Sequence, residues 1–515
     1  MEPRRRGFPA WDDLIWGKMF ETNGLTAILY GILDSGAGVA TGIVGFPVTS
    51  LINKLRPIWR TTANEKIGLD LALGAAASGV RSVFVTKHVG LNVASDSLIT
   101  AATHGIGAGL VVIAGDDPGA RLSQNEQDSR YYGKIAEIPV IEPHGTQNAY
   151  AGVMEAFRVS EQLSVPIMVR ITDRLLRKGG TVERAFFDRP LGKKIQKDVW
   201  GLTHLGRHQY FLKHVYPQML QFAETTGLNE EKGNGGLGII SVGYASVLVE
   251  DALRGRDDVA QLKLGIANPL CERRIALFLK EHNRVLVIEE GAPFVEESIR
   301  GTVLGKLSGH LPRFGELVSA DVERALTYFE ADYITQKFTV ESLESRGYMG
   351  EICDDCPFLP FYRALVRLDT MIAGDMGCTI RTANPPLKLI DVAYSLGSAI
   401  GVACGFEQGG LAILGDCAFL HSGVEALISA IVFKHNVKAF VLENRVSAIT
   451  GGQSTPAASD LVAAICRNYG VPYTIVEARE MDDVSLQDLL RAVSNSTGTI
   501  VVVLKATCPK YDGRL

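Results

Sequence analysis

Two oxygen-bearing side chains, Asp416 and Asn444, are the best candidates for metal chemistry in this sequence. Asp416 follows the apolar run Leu411–Leu414, and Asn444 follows the apolar run Val437–Leu442. If both runs are parallel strands joined by a helix, the two side chains lie at the carboxyl edge of one sheet, where open α/β sheets bind ligands. Carboxylate and amide oxygens are ligands for Mg²⁺, which neutralises phosphate groups in many enzymes. The alternative is an ordinary strand–helix–strand unit with an aspartate in its turn.

The residues around this pair also suit a diphosphate. The backbone at Cys417 can approach a phosphate, and the carbonyl of Val446 can complete the metal ligands contributed by the protein. We expect His421-Ser422-Gly423 to open the helix between the strands, because free N–H groups at a helix start bind phosphates. The whole arrangement resembles the Mg²⁺-diphosphate site of thiamine diphosphate enzymes. The resemblance implies thiamine diphosphate and Mg²⁺ as cofactors.

Thiamine chemistry also requires a glutamate that hydrogen-bonds N1′ of the aminopyrimidine ring. The sequence offers Glu65, which opens the small, apolar and helix-like run Glu65–Ala77. An apolar pocket raises the pKa of a carboxyl group and favours proton sharing. The alternative is that Glu65 only suits the helix dipole, because acidic residues are common in first helical turns.

Length and composition restrict the class of protein. A chain of 515 residues is too long for one typical core, so we expect two to four domains. The net charge of −5 and the lack of a basic tail disfavour nucleic acid as a partner. The longest uncharged run, residues 392–406, predicts a buried helix and is too short to span a bilayer. No apolar signal region follows residues 1–6, and the eight cysteines do not form a disulfide scaffold, so we expect a cytoplasmic protein.

Apolar runs alternate with helical patterns along the chain, which predicts an α/β fold with parallel sheets. We expect three doubly wound α/β domains over residues 20–185, 235–335 and 350–515, and an irregular polar linker over residues 186–234. The predicted strands are 83–86, 109–114, 166–170, 238–242, 284–288 and 499–504, and the predicted helices include 64–77, 146–163 and 245–253.

Several longer runs resemble the α-subunits of indolepyruvate:ferredoxin oxidoreductases. In chain order these runs are Lys87–Asp96, Asp116–Gly119, Ser123–Tyr132, Pro293-Phe294, Glu296-Glu297, Ala373–Cys378, Gly415–Gly423 and Ala448–Gln453. The resemblance covers about residues 20–510. It implies a pyrimidine-binding (PYR) domain, a transketolase-C-like domain and a pyrophosphate-binding (PP) domain, in that order.

The resemblance also implies roles for single residues. It gives Glu65 the N1′ contact, and it places His88 in a loop that faces the thiazolium ring and the substrate. The alternative for His88 is a histidine satisfied within the strand-to-helix turn. His421 would face the diphosphate or the substrate, or else cap a helix, and Thr49 would contact substrate or pyrimidine, or else serve as a turn residue. The expected catalytic residues are Glu65, His88 and His421, the expected metal ligands are Asp416, Asn444 and Val446, and the expected cofactor-binding residues are Thr49, Glu65, Gly415, Asp416, Cys417, His421, Asn444, Val446 and Ala448.

Three features depart from that family. Its α-subunits usually carry a ferredoxin-like domain with two [4Fe–4S] clusters, whereas this sequence has no C-x₂-C-x₂-C-x₃-C run. We therefore expect no iron–sulfur cluster in this chain. The family motif Cys-Pro-Gly-Cys-Pro-His is replaced by Cys353-Asp-Asp-Cys-Pro-Phe358, for which we expect a structural or cofactor-contacting loop rather than zinc. Ser50 replaces a family proline, which implies a reshaped substrate side of the pocket.

The function implied by the resemblance is thiamine diphosphate-dependent decarboxylation of a 2-oxo acid, an arylpyruvate such as indolepyruvate. The acyl group passes to CoA, and electrons pass to ferredoxin through a partner. Expected partners are a smaller β-type subunit, a separate ferredoxin-like carrier and a second α chain. One alternative is a non-oxidative 2-oxo acid decarboxylase or carboligase, which the expected lack of clusters favours. Another is an inactive structural subunit, which the presence of Glu65, Asp416 and Asn444 argues against.

Overall fold

The computed structural model describes residues 17–185, 190–254, 256, 258–329, 331–335, 350–407 and 409–512. The chain divides into two compact units, Met1–Phe338 and Thr339–Leu515. Residues 1–6, after which we expect no signal region, and residues 186–189, the start of the predicted linker, lie outside the described residues. No helix within the described ranges is long and apolar enough to cross a membrane.

The first unit contains two larger sheets and the helices that cover them. Its elements, in chain order, are β1 (Met19–Asn23), α1 (Gly24–Asp34), β2 (Val39–Gly42), α2 (Thr49–Lys54), α3 (Glu65–Ala77), β3 (Ser82–Lys87), α4 (His88–His104), β4 (Leu110–Asp116), α5 (Arg130–Ile135), β5 (Val140–Ile141), α6 (Thr146–Leu163), β6 (Ile167–Thr172), α7 (Asp173–Arg177), β7 (Gly179–Glu183), α8 (Lys197–Trp200), α9 (His204–Tyr210), a π-helical turn (Phe211–Val215), α10 (Tyr216–Thr225), β8 (Glu230–Lys232), β9 (Leu237–Val242), α11 (Ala245–Ala252), β10 (Val259–Leu264), β11 (Ile266–Asn268), α12 (Glu272–Glu281), β12 (Arg284–Ile288), α13 (Phe294–Ser298) and α14 (Ser319–Thr327).

The first large sheet has the strand order β11-β5-β6-β4-β3-β2. Strands β2 to β6 are parallel, and β11 pairs antiparallel with β5. β4 is buried along its whole length, which explains its continuous apolar sequence, because parallel strands are covered on both faces. The predicted α/β fold is therefore confirmed in this unit.

The second sheet of this unit has the order β12-β9-β10-β8 and shares an apolar core with the first sheet. Side chains of β4 and β6 pack in the same cluster as side chains of β9 and β10, and examples are Leu110, Met168, Ile240 and Leu262. The two halves of the unit are also joined by β11, which follows β10 in the chain but belongs to the first sheet. The boundaries expected for separate domains at 20–185 and 235–335 stay a prediction.

The segment expected to be an irregular linker, residues 186–234, differs from that prediction in its described part. It contains α8, α9, the π-helical turn and α10. Phe211, Met219 and Phe222 are buried and pack into the core that covers one face of the first sheet. The helices form because these apolar positions meet that core, although the residues between them are mostly polar.

The second unit is built on one parallel sheet with the order β13-β14-β15-β19-β18. Its elements, in chain order, are α15 (Leu359–Leu365), β13 (Ile372–Ala373), a 3₁₀ helix (Cys378–Ala383), α16 (Ala399–Cys404), β14 (Gly410–Gly415), α17 (Asp416–Ala418), a π-helical turn (Phe419–Gly423), α18 (Val424–Val432), β15 (Val437–Glu443), β16 (Val446–Ser447), β17 (Gln453–Ser454), α19 (Ala458–Tyr469), β18 (Tyr473–Glu477), α20 (Asp483–Ser494), β19 (Ile500–Lys505) and a 3₁₀ turn (Pro509–Tyr511).

The uncharged run at residues 392–406 forms a shorter helix than predicted, since only Ala399–Cys404 is α-helical. Gly397 adopts a φ of +81° just before it, a conformation that favours glycine and interrupts a helix. A Cβ at Gly397 would lie 2.6 Å from the carbonyl oxygen of Ala418. The close approach of these two segments explains why this position is irregular.

Candidate active site

Four loops leave the carboxyl edge of the second unit's sheet from neighbouring strands. They follow β13, β14, β15 and β19, and they carry Cys378, Asp416, Asn444 and Cys508 respectively. Because all these strands are parallel, their loops emerge at the same edge. The structure therefore brings the predicted pair Asp416 and Asn444 to the same edge of the sheet.

The carboxylate of Asp416 joins the loops after β14 and β15. Its Oδ1 accepts the N–H of Cys417 at 2.7 Å, and its Oδ2 accepts the N–H groups of Asn444 at 3.1 Å and Arg445 at 2.6 Å. Arg445 has a φ of +59°, a left-handed conformation that is uncommon for a residue other than glycine. The turn at Arg445 thus presents two successive N–H groups to one carboxylate oxygen.

Burial raises the pKa of Asp416 to about 7, and the three N–H donors act in the opposite direction. The side chain is only 1% exposed. A carboxylate offers about four lone-pair sites, and three of them accept these N–H groups. No described residue donates to the fourth lone pair, so the site can still accept a cation.

Asn444 and the loop that follows it complete this edge. The Oδ1 of Asn444 accepts the N–H of Val446 at 3.1 Å, which leaves one lone pair on that oxygen. The carbonyl of Ala448 accepts the O–H of Tyr511 at 3.0 Å. A Cβ at Gly452 would lie 2.3 Å from the ring of Tyr511, so the 3₁₀ turn that ends at Tyr511 packs directly on this loop.

His421 lies in the π-helical turn and is 5% exposed, with Nδ1 2.6 Å from the hydroxyl of Ser422. We predicted that His421-Ser422-Gly423 opens the helix after β14. That prediction is wrong, because the helix begins at Asp416 and reaches His421 only after its first turn. The N–H groups at the helix start therefore belong to residues next to Asp416 and not to His421.

Asp375 was not predicted as a site residue, although it lies in the same position after β13 as Asp416 does after β14. It is fully buried, and its carboxylate accepts the N–H groups of Gly377 and, at 3.1 Å, of Gly415. Burial raises the pKa of Asp375 to about 6, whereas these N–H groups and the charge of His421 act in the opposite direction. A Gly-Asp pair after each of two neighbouring strands was the signal in the sequence.

The thiols of four cysteines of this unit interact electrostatically. Cys353 and Cys356 share a turn in which the Cys356 N–H donates to the Cys353 carbonyl at 3.1 Å, while Cys378 and Cys508 leave the sheet edge. Burial raises the pKa of Cys356 to about 11 and that of Cys378 to about 12, and other thiols of the group add to both shifts. Within the described ranges, no three His, Cys, Asp or Glu side chains are gathered as they are around a single metal ion.

In the first unit, Glu65 is the first residue of α3 and is 6% exposed. The side chain of Asn64 accepts the N–H of Ile67 at 3.0 Å, an N-cap that fixes where the helix begins. The carboxylate of Glu65 lies against the first turn of α4, because a Cβ at Gly90 would be 2.7 Å from its Oε1 and 2.0 Å from Thr86 Oγ1. Only glycine fits at position 90.

His88 does not lie in a loop, as we predicted, but is the fully buried first residue of α4, which begins directly where β3 ends. Its Nε2 lies 3.0 Å from the carbonyl oxygen of Asn125. A carbonyl only accepts hydrogen bonds, so Nε2 carries the proton and Nδ1 of the neutral ring is an acceptor. This Nδ1 is buried and has no hydrogen-bond partner among the residues described.

Lys87, the last residue of β3, was also not predicted. Its half-buried ammonium donates to Gln124 Oε1 at 3.3 Å. Burial lowers the pKa of Lys87, whereas the charges of Glu65 and Asp117 act in the opposite direction. A cation therefore lies within electrostatic reach of Glu65.

Thr49 begins α2, and its N–H and O–H groups donate to the carbonyl of Gly45 at 2.9 and 3.0 Å. A Cβ at Gly115 in β4 would lie 2.5 Å from Val48 Cγ1, so this turn packs against the carboxyl end of the first sheet. Both hydrogen bonds are those expected of a residue in a turn. Contact of Thr49 with substrate or pyrimidine stays a prediction.

Known proteins resemble this chain along most of its length. Residues 375–504 match the family described as thiamine pyrophosphate enzyme, C-terminal TPP binding domain. Indolepyruvate oxidoreductase subunit IorA of Methanothermobacter marburgensis is 33% identical over 84% of this chain and 76% of its own length. The subunit of the same name from Archaeoglobus fulgidus is 28% identical over 94% of this chain and 86% of its own length. A solved 2-oxoglutarate:ferredoxin oxidoreductase from Magnetococcus marinus aligns at a TM-score of 0.49 and 14% identity, over 60% of this chain and 65% of that one, so the assignment depends on the sequence relatives.

Proposed function

The chain belongs to the family of IorA subunits of indolepyruvate oxidoreductase, and we propose that it catalyses the oxidative decarboxylation of an arylpyruvate. It is a thiamine diphosphate-dependent 2-oxo acid oxidoreductase. The observation that carries the proposal is the buried carboxylate of Asp416, which keeps one unused lone pair beside the amide of Asn444. Both residues lie inside the segment that matches a thiamine pyrophosphate binding domain.

Asp416, Asn444 and the carbonyl of Val446 would hold Mg²⁺. The donor set fits, because hard oxygens suit Mg²⁺ and each of the two side chains has a lone pair to spare. A cation here would also favour the ionised form of Asp416, which burial disfavours. The diphosphate would then lie against the other predicted cofactor-binding residues of this unit, which are Gly415, Cys417, His421 and Ala448.

Bound thiamine diphosphate supplies a nucleophilic carbon for the keto group of the substrate. Glu65 would hydrogen-bond N1′ of its aminopyrimidine ring, a role that the burial of this carboxylate supports. His88 offers its unpartnered Nδ1 as an acceptor, and Thr49 would turn its hydroxyl to substrate or pyrimidine. These side chains bind and orient the reactants and exchange protons with them.

An arylpyruvate substrate is supported by the names of the relatives, which are indolepyruvate oxidoreductase subunits. Those names also support a heteromer, so we propose a smaller β-type subunit, a separate ferredoxin-like carrier and a dimer of these chains. CoA would accept the acyl group. We place the enzyme in the cytoplasm, because all eight cysteines are free and extracellular proteins of this size commonly form disulfides.

We predicted that this chain lacks an iron–sulfur cluster, and we propose the alternative that four of its cysteines hold one. Cys353 and Cys356 have the C-x-x-C spacing, and the thiols of Cys378 and Cys508 are near enough to affect Cys356 or one another. A single metal ion would need its ligands gathered at about 2.3 Å from one point, which is not seen here. A four-iron cluster presents four separated corners to four cysteines. These four residues would hold such a cluster, which accepts electrons singly.

An anaerobic assay tests the proposed function. The purified chain, with and without its β-type partner, is supplied with thiamine diphosphate, Mg²⁺, CoA, phenylpyruvate or indolepyruvate, and a viologen dye. We expect acyl-CoA and reduced dye in a ratio of one to two. Free aldehyde without dye reduction would replace this proposal with the non-oxidative decarboxylase, and an inactive chain with no bound cofactor would support a structural subunit.

A further inference from the structure

Lys87 has no carboxylate as a direct partner among the residues described, whereas most buried cations of the first unit have one. Lys306, which donates to the carbonyl of Pro312, shares this feature. Arg130 pairs with Glu289 at 2.6 Å, and Arg170 pairs with Asp116 at 2.6 Å. Lys87 instead donates to the neutral amide oxygen of Gln124 at 3.3 Å. Within the described part of the chain, no carboxylate therefore forms an ion pair with it.

The surroundings hold the Lys87 side chain in place. A Cβ at Gly45 would lie 2.8 Å from its Cδ and 3.2 Å from its Cγ, so the turn before Thr49 packs across the lysine stem. The two carboxylates that act on the ammonium through space are those of Glu65 and Asp117. Asp117 also accepts the N–H of Leu122 at 2.8 Å through its Oδ2.

The ammonium of Lys87 has more N–H donors than the described residues offer it acceptors. A lysine ammonium has three N–H donors, and its one hydrogen bond to a described residue is to Gln124. The next residue, His88, presents a buried Nδ1 that has no hydrogen-bond partner among the residues described. A ligand that brings hydrogen-bond acceptors and a negative charge would therefore complete the contacts of Lys87.

We propose that Lys87 binds the carboxylate of the 2-oxo acid substrate and thereby selects acids over uncharged keto compounds. This inference rests on the proposed function, in which Glu65 serves the cofactor and leaves the ammonium to another anion. A 2-oxo acid fits the two remaining donors, because its carboxylate and keto oxygens are neighbouring acceptors. Charge-assisted hydrogen bonds of this kind change affinity by about 10- to 100-fold.

The test compares the KM for phenylpyruvate with the inhibition constant Ki of its methyl ester, which cannot lose CO₂ and serves as an uncharged competitive inhibitor. The protein is the full chain, loaded with thiamine diphosphate and Mg²⁺ and joined to its partner subunit. We expect Lys87→Met to lower kcat/KM for phenylpyruvate by about 10- to 100-fold, mainly through KM, and to leave the Ki of the ester unchanged. Lys87→Arg keeps the charge and should recover most of the preference for the acid. Lys66→Met is the matched control, because it removes an exposed lysine of α3 that pairs with Asp70.

Two readouts separate the possible failures. If Lys87→Met raises the KM of the acid and the Ki of the ester equally, or slows hydrogen–deuterium exchange at C2 of the bound cofactor, the residue acts through Glu65 and the inference is overturned. If the wild-type enzyme turns over no 2-oxo acid, the proposed function fails. Should Lys87→Met bind the cofactor poorly, Lys87→Gln gives the same comparison, and a retained preference for the acid in a folded variant refutes carboxylate binding.

Discussion

The buried carboxylate of Asp416 should make the second unit less stable above neutral pH when no cation is bound, and Asp416→Asn should remove that effect. The pKa of Asp416 is raised from its ordinary value of 3.8 to about 7. For an acid whose folded pKa is raised, stability is lost as pH rises from the lower value to the higher one. At about 1.4 kcal/mol per pH unit, this site costs the folded state up to about 4 kcal/mol at pH 8, of which about 1.6 kcal/mol is already present at pH 5.

The asparagine variant has a cost of its own. An amide oxygen can still accept the N–H groups of Asn444 and Arg445, but the amide NH₂ then faces the N–H of Cys417. An unsatisfied N–H costs about 1–3 kcal/mol. We therefore expect Asp416→Asn to be more stable than the wild type by about 1–3 kcal/mol at pH 8, and to be about equal to it at pH 5.

Urea unfolding without Mg²⁺ and cofactor, followed at both pH values, measures this difference. Other groups titrate equally in both proteins, so the difference between the variants isolates Asp416. Asn444→Ala is the control, because it removes only the acceptor for Val446 and should show no pH-dependent difference from the wild type. With saturating Mg²⁺ and thiamine diphosphate only the wild type should be stabilised, by about 2.7 kcal/mol at 100 times Kd. A variant that is clearly less stable than the wild type at pH 8 would refute the reasoning.

Three further predictions follow from the described contacts. Glu65→Gln should keep cofactor affinity within about threefold and abolish turnover, since the amide cannot share a proton with N1′. Calorimetry measures the affinity and the dye assay measures turnover. Retained turnover would remove Glu65 from the mechanism. Cys378→Ser should lower the iron and sulfide content of the anaerobically purified chain, while Cys404→Ser, the control, should not; equal contents would contradict a cluster. Burial raises the pKa of Glu296 to about 7, so the free energy of unfolding should fall as pH rises from about 4.5 to 7. In urea unfolding, Glu296→Gln should remove this pH dependence and add about 1–3 kcal/mol of stability at pH 8. An unchanged pH dependence would show that another group titrates.

The sequence was sufficient to predict the α/β fold, several strands of the sheets and the proximity of Asp416 and Asn444, whose role as metal ligands stays a prediction. Parallel strands buried on both faces give continuous apolar runs, as at β14, β15 and β19, and the residue after each run lies at the sheet edge. The position of Asp416 relative to Asn444 therefore depended only on local patterns and on the strand–helix–strand order. Glu65 was proposed because it opens a small, apolar and helix-like run, and the structure places it first in α3, after the N-cap Asn64. Its contact with N1′ stays a prediction.

The features that were missed depend on contacts between distant parts of the chain. Lys87 packs against Gly45 and donates a hydrogen bond to Gln124, and neither residue is its neighbour in sequence. The start of the helix was predicted at His421-Ser422-Gly423, whereas the helix begins at Asp416 and these three residues lie within the π-helical turn that follows. Burial and hydrogen bonding of this kind follow from tertiary packing, which local residue preferences do not specify.

The strand order of the second unit explains how electrons could leave the cofactor without a separate domain reaching it. Cys378 follows β13, next to the strand that ends at Asp416, and Cys508 follows β19, next to the strand that ends at Asn444. Neighbouring strands are about 4.8 Å apart. The loop that carries each proposed metal ligand therefore begins at the strand next to one whose loop carries a proposed cluster ligand. A cluster at these cysteines would be the first acceptor.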